Sequence, residues 1–263
     1  MPTVREIERF LYGLAPRETA MEWDNVGLLV GDPEAEATRI LVSLDITEDV
    51  VREAEERGCQ VIVAHHPVMN CTWHRVQTIR TDDFRGRLLR LLVKENVAAV
   101  CMHTNLDRAA GGVNDCLAAA LGLENVEELP SGDGVCRMGT LPAPMPLDEF
   151  AGTVLEALDC AGLRYADGGR QVYRVAVGGG ACGEYAEAAL RAGCDTFVTA
   201  DVKYHDFLDA RAMGLNMVDA GHYPTENPVC KALQRWLREA FPGVEVELSA
   251  RHRDVIHYLC GKP

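Results

Sequence analysis

The sequence lacks an apolar run of the roughly 20 residues that a helix needs to cross a bilayer. Residues 1–14 mix charged and apolar side chains and have none of the apolar core of a secretory signal peptide. Both absences argue against a membrane-bound or exported protein. We therefore expect a cytoplasmic protein.

Basic residues are scarce relative to acidic ones, since 26 Lys and Arg stand against 40 Asp and Glu and give a formal net charge of −14. This excess of negative charge opposes broad binding to the phosphates of nucleic acids and to anionic lipid surfaces. We expect a small-molecule ligand, with neither a membrane nor a nucleic acid as partner.

The chain has ten cysteines but no Cys-x-x-Cys pair. They are scattered through a long chain with ample apolar residues, which is not the pattern of a small disulfide-stapled domain. We therefore expect reduced thiols. Cys59 and Cys194 each follow a glycine at the start of an apolar run, where cysteine packs as a small hydrophobic residue, and neither is expected to be catalytic.

Glycine-rich phosphate motifs are also missing. The pattern GxxxxGK[ST] does not occur, and Gly178, Gly179 and Gly180 follow a predicted strand without the rest of the dinucleotide-binding fingerprint. This glycine run is weak evidence for phosphate binding. The alternative is that it allows a close turn from strand to helix.

A hydrophobic content of 48% over 263 residues is enough for the cores of one large or two modest α/β units. The most informative stretch is residues 61–64, four apolar residues typical of a strand buried on both faces of a parallel sheet. His65 and His66 follow this strand, and Pro67 ends it. Because sites in open α/β sheets form beyond the carboxyl ends of strands, the histidine pair is placed to bind a ligand.

Other segments of the first half alternate between helix and strand. Helical spacing predicts an amphipathic helix over residues 3–14, and residues 39–45 and 97–102 read as further buried strands. The last of these strands is followed by His103 and, four residues later, by Asp107. A second strand end therefore carries an imidazole and a carboxylate.

A polar Trp-Asp-Asn cluster precedes the short apolar run of residues 26–30. Asp24 or Asn25 could face a site. Both residue types also favour turns for purely local reasons, and the turn is the interpretation we favour.

The second half of the chain repeats the first. Six residues recur at a constant offset of 135 positions, namely Arg39, Val42, Ala54, Gly58, Cys59 and Val63, matched by Arg174, Val177, Ala189, Gly193, Cys194 and Val198. Further on the offset is 119, which aligns His103 and Asp107 with His222 and Glu226. We predict a duplicated α/β fold, with similar repeats over residues 1–141 and 142–263, each a buried, largely parallel or mixed sheet flanked by helices.

If the two repeats face one another, their strand ends could converge on one cleft that offers three imidazoles and two carboxylates. Such a mixed set of ligands suits a pair of divalent cations, because imidazole binds zinc, iron or nickel and carboxylates can bridge two ions. The alternative is that each His-x-x-x-acid motif only caps a helix or forms a surface ion pair. We favour the metal site, and the predicted ligands are His65, His66, Asp107, His222 and Glu226.

Five motifs in this order, WDNVGLLVG, VIVAHHP, HTNLDRAAGGVND, TADVKYHDFLDA and DAGHYPTE, resemble those of the NIF-three-like dinuclear metal-centre family, which includes bacterial GTP cyclohydrolase I type 2 homologues. The resemblance covers nearly the whole chain. It implies the NIF-three-like fold and a two-metal site on the same five residues, with Glu226 bridging the ions. It also implies self-association as a toroidal homohexamer.

The resemblance leaves several side chains without a firm role. His103 could orient a ligand or contact the substrate, and Lys203, Tyr204 and His205 could bind an anion or move a proton, or could merely pack a loop. Trp73 and His74 are expected on the surface. The catalytic candidates are His103 and His205.

Two divalent ions that share a carboxylate can activate water, so hydrolysis is the natural reaction class. The family label points to a nucleotide or related heterocycle as substrate, with GTP as the candidate. Zinc, iron, manganese, nickel and magnesium all remain open as the metal. The alternative function is that of a non-catalytic metal-binding or metal-handling protein.

Overall fold

The computed structural model describes residues 1–72 and 75–259, so Trp73 and His74 lie outside the described residues. The helices in the described part are α1 (Val4–Leu14), α2 (Glu48–Arg57), α3 (Phe84–Lys94), α4 (Thr104–Arg108), α5 (Val113–Ala120), α6 (Leu147–Ala157), α7 (Ala186–Arg191), α8 (Tyr204–Met213), α9 (His222–Glu226) and α10 (Pro228–Ala240). The strands are β1 (Gly27–Val30), β2 (Arg39–Ser43), β3 (Val61–Ala64), β4 (Ala98–Cys101), β5 (Glu124–Glu128), β6 (Arg137–Met145), β7 (Arg164–Ala166), β8 (Val172–Val177), β9 (Thr196–Thr199), β10 (Asn216–Asp219) and β11 (Glu245–Leu248).

The first compact unit comprises Met1–Ala110 and Cys230–Arg253. Its sheet has the strand order β1-β4-β3-β2-β11. β11, β2, β3 and β4 are parallel, whereas β1 is antiparallel to β4. Every residue of β3 and β4 is buried, which agrees with the continuous apolar runs that predicted them.

The second compact unit comprises Gly111–Val229 and the segment that begins at Asp254. Its sheet has the strand order β5-β6-β8-β9-β10-β7. β8, β9 and β10 are parallel, and β7 is antiparallel to β10. Phe150 of α6 is fully buried and packs in one cluster with Val175, Val198 and Val218 from the three parallel strands.

The two sheets share one arrangement of strands. Each contains three parallel strands in chain order, β2-β3-β4 or β8-β9-β10, and an antiparallel strand, β1 or β7, on the third of them. β3 and β9 occupy matching positions in the two repeats, since Val61–Ala64 and Thr196–Thr199 are related by the predicted offset of 135 positions. The predicted duplicated α/β fold is confirmed.

The compact units divide the chain at other places than residue 141. Residues 111–141 belong to the second unit, because β6 pairs with β8. Residues 230–253 belong to the first unit, because β11 pairs with β2. Strand pairing thus places residues 111–141 of the first half in the second unit and residues 230–253 of the second half in the first unit. The position of the repeat boundary stays a prediction.

Local sequence explains where α2 begins and where it ends before β3. The side chain of Thr47 accepts a hydrogen bond from the backbone N–H of Val50 at 3.3 Å and caps the start of the helix. Gly58 ends it in the left-handed conformation, with φ of 66°. α2 is thus capped at both ends by local sequence.

Several described cysteines are buried thiols. Cys59 is 5% exposed and Cys194 is fully buried, as predicted, and neither forms a disulfide. Burial raises the pKa of each of these two thiols to about 11. Neither thiol therefore has the thiolate character of a catalytic cysteine at neutral pH.

None of the helices in residues 1–72 and 75–259 combines the length and the apolar composition that a membrane span requires.

Glu53 of α2 is a buried carboxylate that fixes the segment after β11. It is 2% exposed and accepts hydrogen bonds from Ser249 Oγ at 2.5 Å, Ala250 N at 2.9 Å and Arg251 N at 3.1 Å. Arg57 also lies against it, with Nη2 2.7 Å from Oε1. One buried side chain thus satisfies several donors that are distant in sequence.

We expect Glu53→Ala to lower the free energy of unfolding by about 3 kcal/mol, because the donors lose a charged acceptor in a buried position. Urea denaturation followed by circular dichroism measures the change. The control is Glu55→Ala on the same helix, since Glu55 is exposed and pairs with Arg52 at the surface. Equal midpoints for the two variants would contradict the expectation.

Candidate metal centre

His65 and His66 follow β3 at its carboxyl end. The backbone N–H groups of both residues donate to the carbonyl oxygen of Leu44, at 3.1 and 2.9 Å, and this pairing fixes the histidine pair beside the end of β2. His65 is fully buried. The site residues are therefore held by the sheet itself.

The two rings are oriented through their Nδ1 atoms. His65 Nδ1 lies 2.8 Å from the carbonyl oxygen of Met102, and His66 Nδ1 lies 2.8 Å from Asp45 Oδ1. Because these oxygens can only accept, Nδ1 carries the proton in both rings. A neutral ring of this tautomer carries its lone pair on Nε2, the atom that binds a metal.

His103 follows β4 and has the same support. Its Nδ1 lies 2.9 Å from Oδ1 of Asp24, whose Oδ2 accepts from Thr104 N at 3.0 Å and Thr104 Oγ1 at 2.5 Å. Burial raises the pKa of Asp24, but the hydrogen bonds from His103 and Thr104 outweigh burial and lower the pKa to about 2. Asp24 is thus an anion at neutral pH.

This arrangement corrects the interpretation of Asp24 as a local turn residue. Its side chain is fully buried and reaches across the chain to His103 and Thr104. Oδ1 also accepts from the backbone N–H of Asn25 at 2.8 Å, so the local contact exists beside the long-range ones. A turn preference alone does not account for a carboxylate with these partners.

The three imidazoles form one group within the first unit. The ring centroids of His65 and His66 are 4.8 Å apart, those of His65 and His103 are 5.0 Å apart, and those of His66 and His103 are 5.5 Å apart. One nitrogen from each ring lies within 4.8 Å of the other two. Three imidazole nitrogens this close together could hold a metal ion.

Asp107 of α4 adds a carboxylate to this group. Its Oδ1 lies 3.6 Å from His65 Nε2, a separation longer than a hydrogen bond. With ligand bonds of about 2.0–2.1 Å, two ligands of one tetrahedral ion lie about 3.3 Å apart. The separation and the atom types therefore fit two ligands of one ion.

The second unit carries its own imidazole and carboxylate on α9, which follows β10. His222 Nδ1 lies 2.7 Å from Asp201 Oδ2, and His222 Nε2 lies 3.2 Å from Glu226 Oε2. Burial lowers the pKa of His222, but the carboxylates of Glu226 and Asp201 more than offset burial and raise the pKa to about 11. Two carboxylates around one imidazole create the negative potential that attracts a cation.

The glycine run of the second unit makes room for this pair. A Cβ atom at Gly180 would overlap Oε1 of Glu226 and would lie 3.1 Å from His222 Nε2. The N–H groups of Gly179 and Gly180 donate to Asn114 Oδ1 and Thr225 Oγ1, at 2.7 and 3.0 Å. These N–H groups are thus used within the protein, and the glycines serve close packing beside Glu226.

The structure brings most of the predicted residues into two groups. His65, His66, His103 and Asp107 lie together in the first unit. His222 and Glu226 lie together in the second unit. The side chain of His103 lies within hydrogen-bonding distance of Asp24. This contact argues against the alternative that the His-x-x-x-acid motif of His103 and Asp107 only caps a helix.

His205 is placed differently. It lies in the first turn of α8 and is exposed, and its ring centroid is 5.4 Å from that of Tyr204. Among the described residues, His205 belongs to neither group of possible ligands. Its catalytic role stays a prediction.

Sequence reasoning missed three supporting carboxylates, Asp24, Asp45 and Asp201, each of which accepts from Nδ1 of a site histidine. For two of these carboxylates, the sequence contained a signal that could have identified them as site residues. Asp45 ends a predicted buried strand, as the histidine pair does, and Asp201 falls opposite His66 at the repeat offset of 135.

The duplicated sheets, with imidazoles and carboxylates at the ends of their parallel strands, define a class of α/β proteins with candidate metal sites. Residues 2–254 match the family described as Duf34/NIF3 (NGG1p interacting factor 3), and the chain belongs to this family. The resemblance drawn from the five sequence motifs is confirmed.

Proteins similar to this chain cover it almost completely. A protein of Clostridium perfringens named GTP cyclohydrolase 1 type 2 homolog is 32% identical, over 97% of this chain and 99% of that protein. One of the same name from Streptomyces coelicolor is 36% identical, over 88% of this chain and 84% of that protein. The crystal structure of a Bacillus cereus protein related to NIF3 matches with a TM-score of 0.91 and 26% identity, over 98% of this chain and 99% of that chain.

We expect Gly180→Ala to weaken zinc binding about tenfold or more, because the added Cβ atom would push the Glu226 carboxylate from its place. Competition with a fluorescent zinc chelator measures the affinity. Gly193→Ala is the matched control, since Gly193 also has a positive φ, of 81°, but has open space around the added atom. Both variants bear about 1–2 kcal/mol of backbone strain. Equal zinc affinity in the two variants would contradict the role given to Gly180.

Proposed function

We propose that the chain is a dinuclear divalent-metal-dependent hydrolase that acts on a nucleotide or a related heterocycle. The observation that carries the proposal is a shared orientation of histidines. The Nδ1 atom meets an oxygen acceptor in each of four histidines, His65, His66, His103 and His222. The Nε2 atoms of His65 and His222 lie 3.6 and 3.2 Å from a carboxylate oxygen. Metal-binding histidines have this arrangement, because the bond at Nδ1 fixes the tautomer that binds through Nε2.

The proposed ligands are those predicted from the sequence. His65, His66 and Asp107 supply two nitrogens and a carboxylate in the first unit, and His222 and Glu226 supply a nitrogen and a carboxylate in the second. Mixed nitrogen and oxygen ligands suit zinc, iron, manganese or nickel better than magnesium, which prefers oxygen alone.

Divalent ions in such a site supply Lewis acidity, which polarises an electrophile and activates water for hydrolysis. His103 is proposed to contact the substrate or move a proton at Nε2. Asp24 favours this role, because it holds the ring by Nδ1 and fixes where Nε2 points. The Trp23 ring packs edge-on against His103 at a centroid distance of 5.9 Å and limits its rotation further.

The substrate class is supported by the names of the relatives. The proteins of Clostridium perfringens and Streptomyces coelicolor are both named as homologues of GTP cyclohydrolase 1 type 2. GTP is therefore the first substrate to test, with other purine nucleotides beside it. A metal-handling protein would share the metal site but would show no turnover.

We expect the purified protein to contain about two divalent ions per chain and to consume GTP, and Glu226→Gln to lose both properties together. The glutamine keeps the volume of the side chain and removes its charge. Inductively coupled plasma mass spectrometry counts the ions, and a chromatographic assay follows GTP. Glu156→Gln on the exposed face of α6 is the matched control and should match the wild-type protein.

Ions without turnover on any nucleotide would favour metal handling over hydrolysis. Less than half an ion per chain, unchanged by added metal and by Glu226→Gln, would overturn the metal centre itself. The toroidal homohexamer stays a prediction, and light scattering on the same samples tests it.

A further inference from the structure

His252 lies beside Asp45, the residue that accepts a hydrogen bond from His66. No sequence motif singled out His252, and it is not among the proposed ligands. Its Nε2 atom lies 3.1 Å from Oδ2 of Asp45 and 3.2 Å from the backbone nitrogen of the same residue. The other carboxylate oxygen of Asp45, Oδ1, accepts from His66 Nδ1 at 2.8 Å. Asp45 thus connects two imidazoles that are far apart in the sequence.

Both protonation states of His252 Nε2 hold Asp45 in place. When Nε2 carries a proton, it can donate to the Oδ2 atom of Asp45. When Nε2 carries the lone pair, it accepts from the backbone N–H of Asp45. In either state the imidazole fixes the residue whose Oδ1 atom holds His66.

Asp45 needs such a support because its side chain is partly exposed. The exposed fraction of the Asp45 side chain is 41%, whereas those of His66 and His252 are 12% and 7%. A carboxylate in contact with water can rotate and exchange its protein partners for water molecules. A second partner on Oδ2 reduces this freedom and keeps Oδ1 in line with His66.

The backbone around His252 is itself anchored. The N–H of His252 donates to Ser249 Oγ at 3.0 Å, and Ser249 Oγ donates to the buried carboxylate of Glu53 at 2.5 Å. Glu53 also holds the N–H groups of Ala250 and Arg251. The position of His252 is therefore set by Glu53 of α2 and by the segment that follows β11.

We propose that His252 is a positioning residue for metal binding: it fixes the Asp45 carboxylate, which in turn holds His66 with Nε2 presented as a ligand. The inference rests on the proposed metal centre. This role links His252, in the segment after β11, through Asp45 to a proposed ligand 186 positions earlier in the chain. His252 touches neither metal nor substrate in this assignment.

The test measures zinc affinity by competition with a fluorescent chelator in the full-length wild-type protein and in His252→Ala. Loss of a supporting partner of a ligand weakens metal binding by roughly 10–100-fold, and we expect the lower end, about tenfold, since His252 acts through Asp45. The matched control is His257→Ala, which removes an exposed imidazole five positions further on. It should bind zinc as the wild-type protein does.

His252→Gln separates positioning from bulk packing. The glutamine amide can donate to Oδ2 and accept from the backbone N–H, so we expect it to restore most of the affinity lost in His252→Ala. Circular dichroism and thermal unfolding show whether each variant is folded. If His252→Ala fails to fold, a comparison of His252→Gln with His252→Leu provides the same contrast between a polar and an apolar side chain.

A double-mutant cycle tests the route through Asp45. In an Asp45→Ala background, His252→Ala should reduce zinc affinity no further, because the carboxylate through which it acts is gone. Independent, additive losses would overturn the inference. So would equal affinity of His252→Ala and the wild-type protein.

A second readout needs no metal. Long-range nitrogen-15 NMR of the metal-free protein reports which ring nitrogen of His66 carries the proton, and we expect a single Nδ1–H tautomer in the wild type and a mixture in His252→Ala. An unchanged His66 signal in His252→Ala would overturn the inference while leaving the metal centre intact. Absence of zinc binding by the wild-type protein would instead overturn the metal centre, and this inference with it.

Discussion

The proposed metal binding depends on one repeated interaction, the hydrogen bond from a histidine Nδ1 to an oxygen that cannot donate. A backbone carbonyl accepts this bond from His65, and the carboxylates of Asp45, Asp24 and Asp201 accept it from His66, His103 and His222. The bond selects the tautomer and the direction of Nε2. The rings are held before any ligand arrives, so little conformational freedom remains to be lost on binding.

The two repeats share a histidine after the third parallel strand but differ in the origin of the carboxylate that accepts from its Nδ1. His103 and His222 align at the repeat offset of 119, and both follow the third parallel strand of their sheet. The carboxylate that accepts from His103 belongs to Asp24, in the segment before β1. The carboxylate that accepts from His222 belongs to Asp201, which follows β9. Asp201 itself aligns with His66. A position that offers a proposed ligand in one unit therefore orients a proposed ligand in the other.

The sequence predicts the parts of this protein that obey short-range rules. β3 and its histidine pair were recognisable because a strand buried on both faces must be apolar throughout, and polar residues can follow only at its end. Asp24 was considered as a site residue but interpreted as a turn residue, since an aspartate near a turn has a local explanation and its partner His103 is 79 positions away. The place of β11 in the first sheet was missed for a similar reason, because the pairing of an edge strand leaves no periodic trace.

The position of β11 also bears on the order in which the protein is made. β2 is synthesised early, but the strand that completes its edge of the sheet lies at Glu245–Leu248, and the partner of Asp45 comes at His252. The chain must therefore be made as far as Leu248 before the first sheet can close. The pairing of β11 with β2 joins segments far apart in sequence, so we expect it to form after the local structure of the first unit. A product truncated before β11 would keep both histidines of the pair and lack His252, the proposed support of Asp45.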